Sequence, residues 1–114
     1  MSDDTMQQVY LKVTQKIQES QKQLNQIDAQ ISSNQRDIRL ASLTKRELDG
    51  VDNSVPLYKS MGKMFVQESK SNMLEDIDKE TSNANSLIQA LEKKKKFVSR
   101  SLEEATGNLK DIIR

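Results

Sequence analysis

Apolar or small residues recur at Met6, Tyr10, Val13, Ile17, Ser20, Leu24, Ile27, Ile31, Asn34, Ile38 and Ala41, in alternating steps of four and three without a slip. This is the heptad stripe of a helix that packs along one narrow seam, and it predicts a first helix over 4–41. A second stripe, through Leu74, Ile77, Thr81, Ala84, Ile88, Leu91, Lys95, Val98, Leu102, Ala105, Leu109 and Ile112, predicts a second helix over 69–113. At the rise of an α-helix the two would measure about 57 Å and about 68 Å. Arms so nearly matched, joined within one chain, fold back most simply as an antiparallel coiled-coil pair, with Met6 and Tyr10 near Leu109 and Ile112. The polar seam positions Ser20, Asn34, Thr81 and Lys95 weaken packing and serve to set register. Gly107, inside the second helix, should cost about 1 kcal/mol relative to alanine and loosen the last turns.

Between the arms the pattern changes at Leu43. Thr44-Lys45-Arg46-Glu47 fits a capping box, with Leu43 and Leu48 placed as a hydrophobic staple and Gly50 as a stop, which predicts a short separate helix over 44–50. Val51 to Ser54 reads as a loop, and Pro56 excludes a continuing helix while being acceptable at the start of an edge strand. Val55–Met61 and Lys63–Gln67 then read as two strands of one β-hairpin, 55–67, turning at Met61-Gly62-Lys63, where glycine supplies the positive φ of a tight turn. An isolated hairpin is marginal in water, and this one carries Leu57, Tyr58, Met61, Met64, Phe65 and Val66. Its expected cover is the strand edge of another chain. The alternative is a hairpin that packs on the base of its own helices and closes a monomer.

Composition agrees with an elongated, mainly α, single domain spanning 1–114. Of 114 residues, 31% are charged and 34% hydrophobic, aromatics make up 4% and tryptophan is absent, too little apolar material for a rounded core. A net charge of +1 gives no long-range attraction to nucleic acid or anionic lipid, so neither is an expected partner. Histidine and cysteine are both absent, which removes the commonest general base, the thiol nucleophile and the usual soft metal ligands. No enzymatic activity, metal or cofactor is expected. The opening MSDDTMQQ is unlike a signal or transit peptide and no apolar run approaches a membrane span, so a cytoplasmic location is expected. The run Lys93 to Lys96 lies on consecutive helical positions pointing in all directions and reads as a solvated face rather than a nucleic-acid patch.

The order long helix, capped turn, single apolar hairpin, long helix, with Tyr58-x-x-x-Gly62-Lys63-Met64-Phe65 in the hairpin, LTKRELDGV before it and Ser69-Lys70 after it, resembles the beta-class subunits of prefoldin over nearly the whole chain. A single hairpin is also the beta-class number, since alpha-class subunits have two. The resemblance implies a heterohexamer with two alpha-class and three further beta-class subunits, in which hairpins join an inter-subunit β-barrel. Leu57, Tyr58, Met61, Gly62, Met64, Phe65 and Val66 would then serve assembly. It also implies an ATP-independent holdase that binds unfolded proteins such as actin and tubulins and passes them to the cytosolic group II chaperonin. Apolar residues at the helix ends, Met6, Val9, Tyr10, Leu109, Ile112 and Ile113, are the candidates for weak, multipoint client contact. Met6, Tyr10, Leu109 and Ile112 also read as plain seam residues, whereas Val9 and Ile113 lie beside the seam. The competing reading is a structural coiled-coil adaptor or tether that uses the hairpin only to oligomerise.

Overall fold

The computed structural model describes residues 3–113; Met1, Ser2 and Arg114, which fall within the expected domain, lie outside the described residues. The chain forms helix α1 (Asp3–Asp49), strands β1 (Tyr58–Met61) and β2 (Met64–Gln67), and helix α2 (Lys70–Ile113). Packing divides it into two units, one made of the chain up to Ser32 with the chain from Gln89 onward, the other Ser33–Ile88.

In the first unit the two helices run antiparallel along the expected seam. Ile27, Leu91 and Val98 form a buried cluster on which Leu24 and Ile31 pack, and Ser20 and Ala105 are buried as well. These are heptad positions, so the four-three spacing is what brings them onto one stripe. Lys95, a seam position on paper, leaves the seam: its Nζ lies 2.8 Å from Asp28 Oδ1 and its side chain stays in solvent. A lysine stem can lie along apolar surface while its ammonium reaches water, so the layer survives with a cation in it.

In Ser33–Ile88 the seam continues through half-buried Asn34, Ile38 and Ala41 on α1 and Ile77, Thr81, Ala84 and Ile88 on α2, but no residue is buried. The short separate helix expected over 44–50 does not exist, and α1 runs unbroken from Asp3 to Asp49. The physical reason is that no glycine or proline interrupts Ala41 to Asp49 and the four-three stripe carries on through half-buried Lys45 and Leu48. Thr44 therefore sits in the helix interior, where its Oγ1 donates back to the Leu40 carbonyl at 2.9 Å instead of accepting as a cap. Leu43, the expected staple, remains exposed. Gly50 does follow the helix end, but without the positive φ of a left-handed cap; its N–H bonds the Arg46 carbonyl at 3.3 Å.

The helix ends are met by charge and by side chains. Asp3 and Asp4 occupy the first turn of α1, where the helix dipole favours anions. Ser69 caps α2, accepting from the Asn72 N–H at 3.1 Å, so the second helix starts at Lys70, one residue later than the expected 69. Lys70 reaches across to the end of α1, its Nζ donating to the Val51 carbonyl at 2.9 Å and the Asp49 carbonyl at 3.4 Å. Carbonyls left open by the helix terminus are thereby satisfied by a cation. Lys45 and Asp78 pair across the helices at 3.0 Å. The hydrogen bond to Asp78, then its charge, raise the Lys45 pKa above the ordinary lysine value.

Because Ile27 is 2% exposed and Leu11 58% exposed, Ile27→Ala should lower unfolding stability by about 2–4 kcal/mol and Leu11→Ala by under about 0.5 kcal/mol, read from urea titration of helical circular dichroism. A cation whose folded pKa is raised stabilises the fold throughout the range below its ordinary pKa and ceases to do so as pH climbs through the raised value. Lys45→Gln should therefore have a flatter alkaline limb than the wild type above about pH 10 in a pH series of thermal melts, with little difference in high salt because the pair is exposed.

Candidate functional site

The hairpin is made by a two-residue loop, Gly62-Lys63, between strands in the register Tyr58↔Gln67, Lys59↔Val66, Ser60↔Phe65 and Met61↔Met64. Gly62 has φ 61° and is alone in that region among the described residues. Positive φ at only the first loop position fits a type II′ turn, whose twist matches the flanking strands. The strands are shorter than the expected 55–61 and 63–67. Val55 spends its N–H on the Asp52 carbonyl at 3.0 Å, and Pro56 has no N–H to give. One further ladder bond, Glu68 N–H to the Leu57 carbonyl at 3.0 Å, extends the pairing past β2.

All eight strand residues are exposed. Tyr58, Ser60, Phe65 and Gln67 share one face, and Lys59, Met61, Met64 and Val66 the other, because side chains alternate along a strand. Apolar groups thus stand on both faces, Met64 at 66% and Phe65 at 74% exposure. In a two-stranded sheet each strand is also an edge, with backbone groups that have no ladder partner on the outer side. One contact to the helices bears on the strands: Lys59 Nζ lies 3.7 Å from Asp76 Oδ2, a link between hairpin and α2 that sequence reasoning missed. Leu57 differs from the other assembly candidates in being half-buried within its own unit.

At the helix ends the structure separates the client candidates. Ile113 is 70% exposed, and Leu109 and Ile112 are half-buried seam residues. On α1 the expectation is reversed: Val9 is half-buried, while Met6 and Tyr10 are exposed. With Asp28 opposite Lys95, Tyr10 comes about level with Ile113, and Met6 lies beyond the last described turn of α2.

Between α1 and α2 in the unit Ser33–Ile88, an open groove of about 530 Å³ is lined by Leu40 and Leu87, both exposed. Its walls offer Asp37 and Glu80 but neither histidine nor cysteine, which the whole sequence lacks. No cluster of carboxylates able to hold a metal ion occurs among the described residues, and no described helix is long and apolar enough to cross a membrane.

Two helices around one hairpin, with residues 12–114 matching the family model described as prefoldin subunit, decide the family. The chain belongs to the prefoldin subunits. It is 30% identical over 107 residues to probable prefoldin subunit 1 of Schizosaccharomyces pombe, covering 94% of this chain and 96% of that one. To prefoldin subunit 1 of Homo sapiens it is 25% identical over 111 residues, with 97% and 91% covered. The crystal structure of the prefoldin beta subunit from Thermococcus strain KS-1 superposes with a TM-score of 0.81 at 19% identity, over 92% of each chain. The fold is therefore that of a prefoldin beta subunit.

In this prefoldin subunit a Cβ at position 62 would meet no atom within 4 Å, so substitution there carries a purely conformational cost. Gly62→Ala should destabilise the hairpin by about 1–2 kcal/mol while leaving the helices intact. The readout is faster amide hydrogen exchange confined to Tyr58–Gln67, with unchanged helical circular dichroism.

Proposed function

We propose that the chain is a beta-class subunit of a heterohexameric prefoldin, assembled with two alpha-class and three further beta-class subunits through its hairpin, and acting as an ATP-independent holdase in the cytoplasm. The observation that carries the assembly is the hairpin itself, apolar on both faces, exposed at every strand residue and unpaired on both outer edges. A hairpin serving only to close its own helix pair would turn one apolar face inward. This one asks for neighbours on each side, as a strand inside an inter-subunit barrel has. Tyr58, Met61, Met64, Phe65 and Val66 would form the contact surface, Gly62 its turn, and Leu57 the packing beneath.

The holdase reading draws on the exposed apolar residues at the helix ends, chiefly Met6, Tyr10 and Ile113, with Val9, Leu109 and Ile112 half-covered. Several weak contacts of this kind, contributed by several subunits, hold an unfolded chain by multivalency and still let it go. Unfolded actin and tubulins are the proposed clients, and the cytosolic group II chaperonin the proposed acceptor.

Native mass spectrometry of the complex recovered with this chain tagged should give a particle with one copy of it, three other beta-class and two alpha-class chains; a homodimer overturns the reading. Phe65→Asp should abolish incorporation, since it places a charge in the buried middle of the contact. Removing residues 1–10 and 109–114 together should preserve the particle and reduce its suppression of denatured-actin aggregation in a light-scattering assay. Unchanged suppression would remove these residues from client binding, and no suppression even by the intact particle would leave a structural tether.

A further inference from the structure

The chain has two phenylalanines, and both stand in solvent: Phe65 at 74% and Phe97 at 73% exposure. The hairpin accounts for the first. Phe97 lies in the middle of α2, remote in sequence from the strands. Leu91 and Val98 point into the buried cluster, so Lys93, Phe97 and Arg100, spaced four and three apart, fall on the opposite face of the helix, with Lys96 beside them. All four are exposed. Lys93 to Arg100 holds five cations and no carboxylate, although the whole chain carries only +1. Among these, Lys95 is paired with Asp28; the side chains of Lys93, Lys94, Lys96 and Arg100 have no ion-pair or hydrogen-bond partner among the described residues.

An exposed aromatic ring that shares a helix face with three cations lacking ion-pair partners combines an apolar anchor with charge, which is the make-up of a docking surface. We propose that this stripe, Lys93, Lys96, Phe97 and Arg100, binds an acidic segment of another protein that carries an apolar side chain. The carboxylates would meet the three cations, which sets specificity and speeds encounter, and the apolar side chain would cover Phe97, which supplies the anchor. Nucleic acid fits less well. Base stacking uses successive aromatic platforms, and this stripe has one ring; nor does a chain of net charge +1 have the overall field that draws a phosphate backbone. The inference does not rest on hairpin assembly, because every residue in it belongs to the helix pair of the first unit.

The test uses the full-length chain and a fluorescein-labelled peptide of Glu and Asp bearing two leucines one helical turn apart, followed by fluorescence anisotropy. Saturable binding is expected, weakening steeply with added salt. Phe97→Ser should reduce affinity about tenfold, Lys93→Glu with Arg100→Glu should abolish binding, and Leu11→Ala, an exposed apolar residue off the stripe, should change nothing. Replacing the leucines of the peptide by serine should also weaken it about tenfold, a readout independent of any variant's folding. No saturable binding, binding indifferent to Phe97→Ser and to the leucine replacement, or tighter binding of labelled single-stranded DNA than of the peptide would each overturn the proposal.

Discussion

Two helices lying side by side can bury only the stripe along which they touch, and the rest of this molecule follows from that limit. Where the stripe is richest, Ile27 meets Leu91 and Val98, and these residues are the only hydrophobics besides Ala105 to be buried among those described. A core of this size can hold two helices in register, and the unit that carries the hairpin buries no residue at all. The hairpin that joins the helices therefore finds no core of its own to enter. Its Met and Phe side chains remain in solvent because of the architecture, not because of any local defect in the strands.

The second unit manages with weaker means. None of its residues is buried, and polar contacts fix its parts: Lys70 on the last carbonyls around α1, Lys45 with Asp78, Lys59 with Asp76, and the Ser69 cap. Contacts of this kind orient backbone well while contributing little net stability when exposed. In the assembly proposed above, strands of neighbouring subunits would supply the hydrogen bonds and the burial that this unit lacks, and its stability would then be linked to assembly.

Electrostatics divides along the same lines. Acids and bases nearly cancel over the chain, yet Lys93 to Arg100 is uniformly basic. Lys95, at a heptad position, keeps its side chain in solvent and pairs with Asp28, so no charge is buried in the seam. Outside the seam, Lys93, Lys96 and Arg100 stand in solvent on the face that carries Phe97, with no direct ion pair among the described residues. A single stretch of sequence thus contributes Val98 to the buried seam and presents a distinct surface on the other face of the helix.

The heptads, the hairpin and its glycine turn were legible in the sequence because each depends on local periodicity or on one residue's allowed φ. From Val13 to Ala41 and from Leu74 to Ile112, every position read as seam is at least half-buried except Lys95. The break expected at Thr44 was illegible because the capping-box pattern and an ordinary helix interior share the same residues, and only a continuing seam against α2 tells them apart. Likewise the exposure of Met6 and Tyr10 and the half-burial of Val9 depend on how α1 and α2 are paired, which is a matter of tertiary register. Sequence alone determined two amphipathic helices around one apolar hairpin, since those are properties of spacing along a chain. Tertiary structure decided which hairpin side chains stay uncovered and which cations go unpaired, since both depend on what stands across from them.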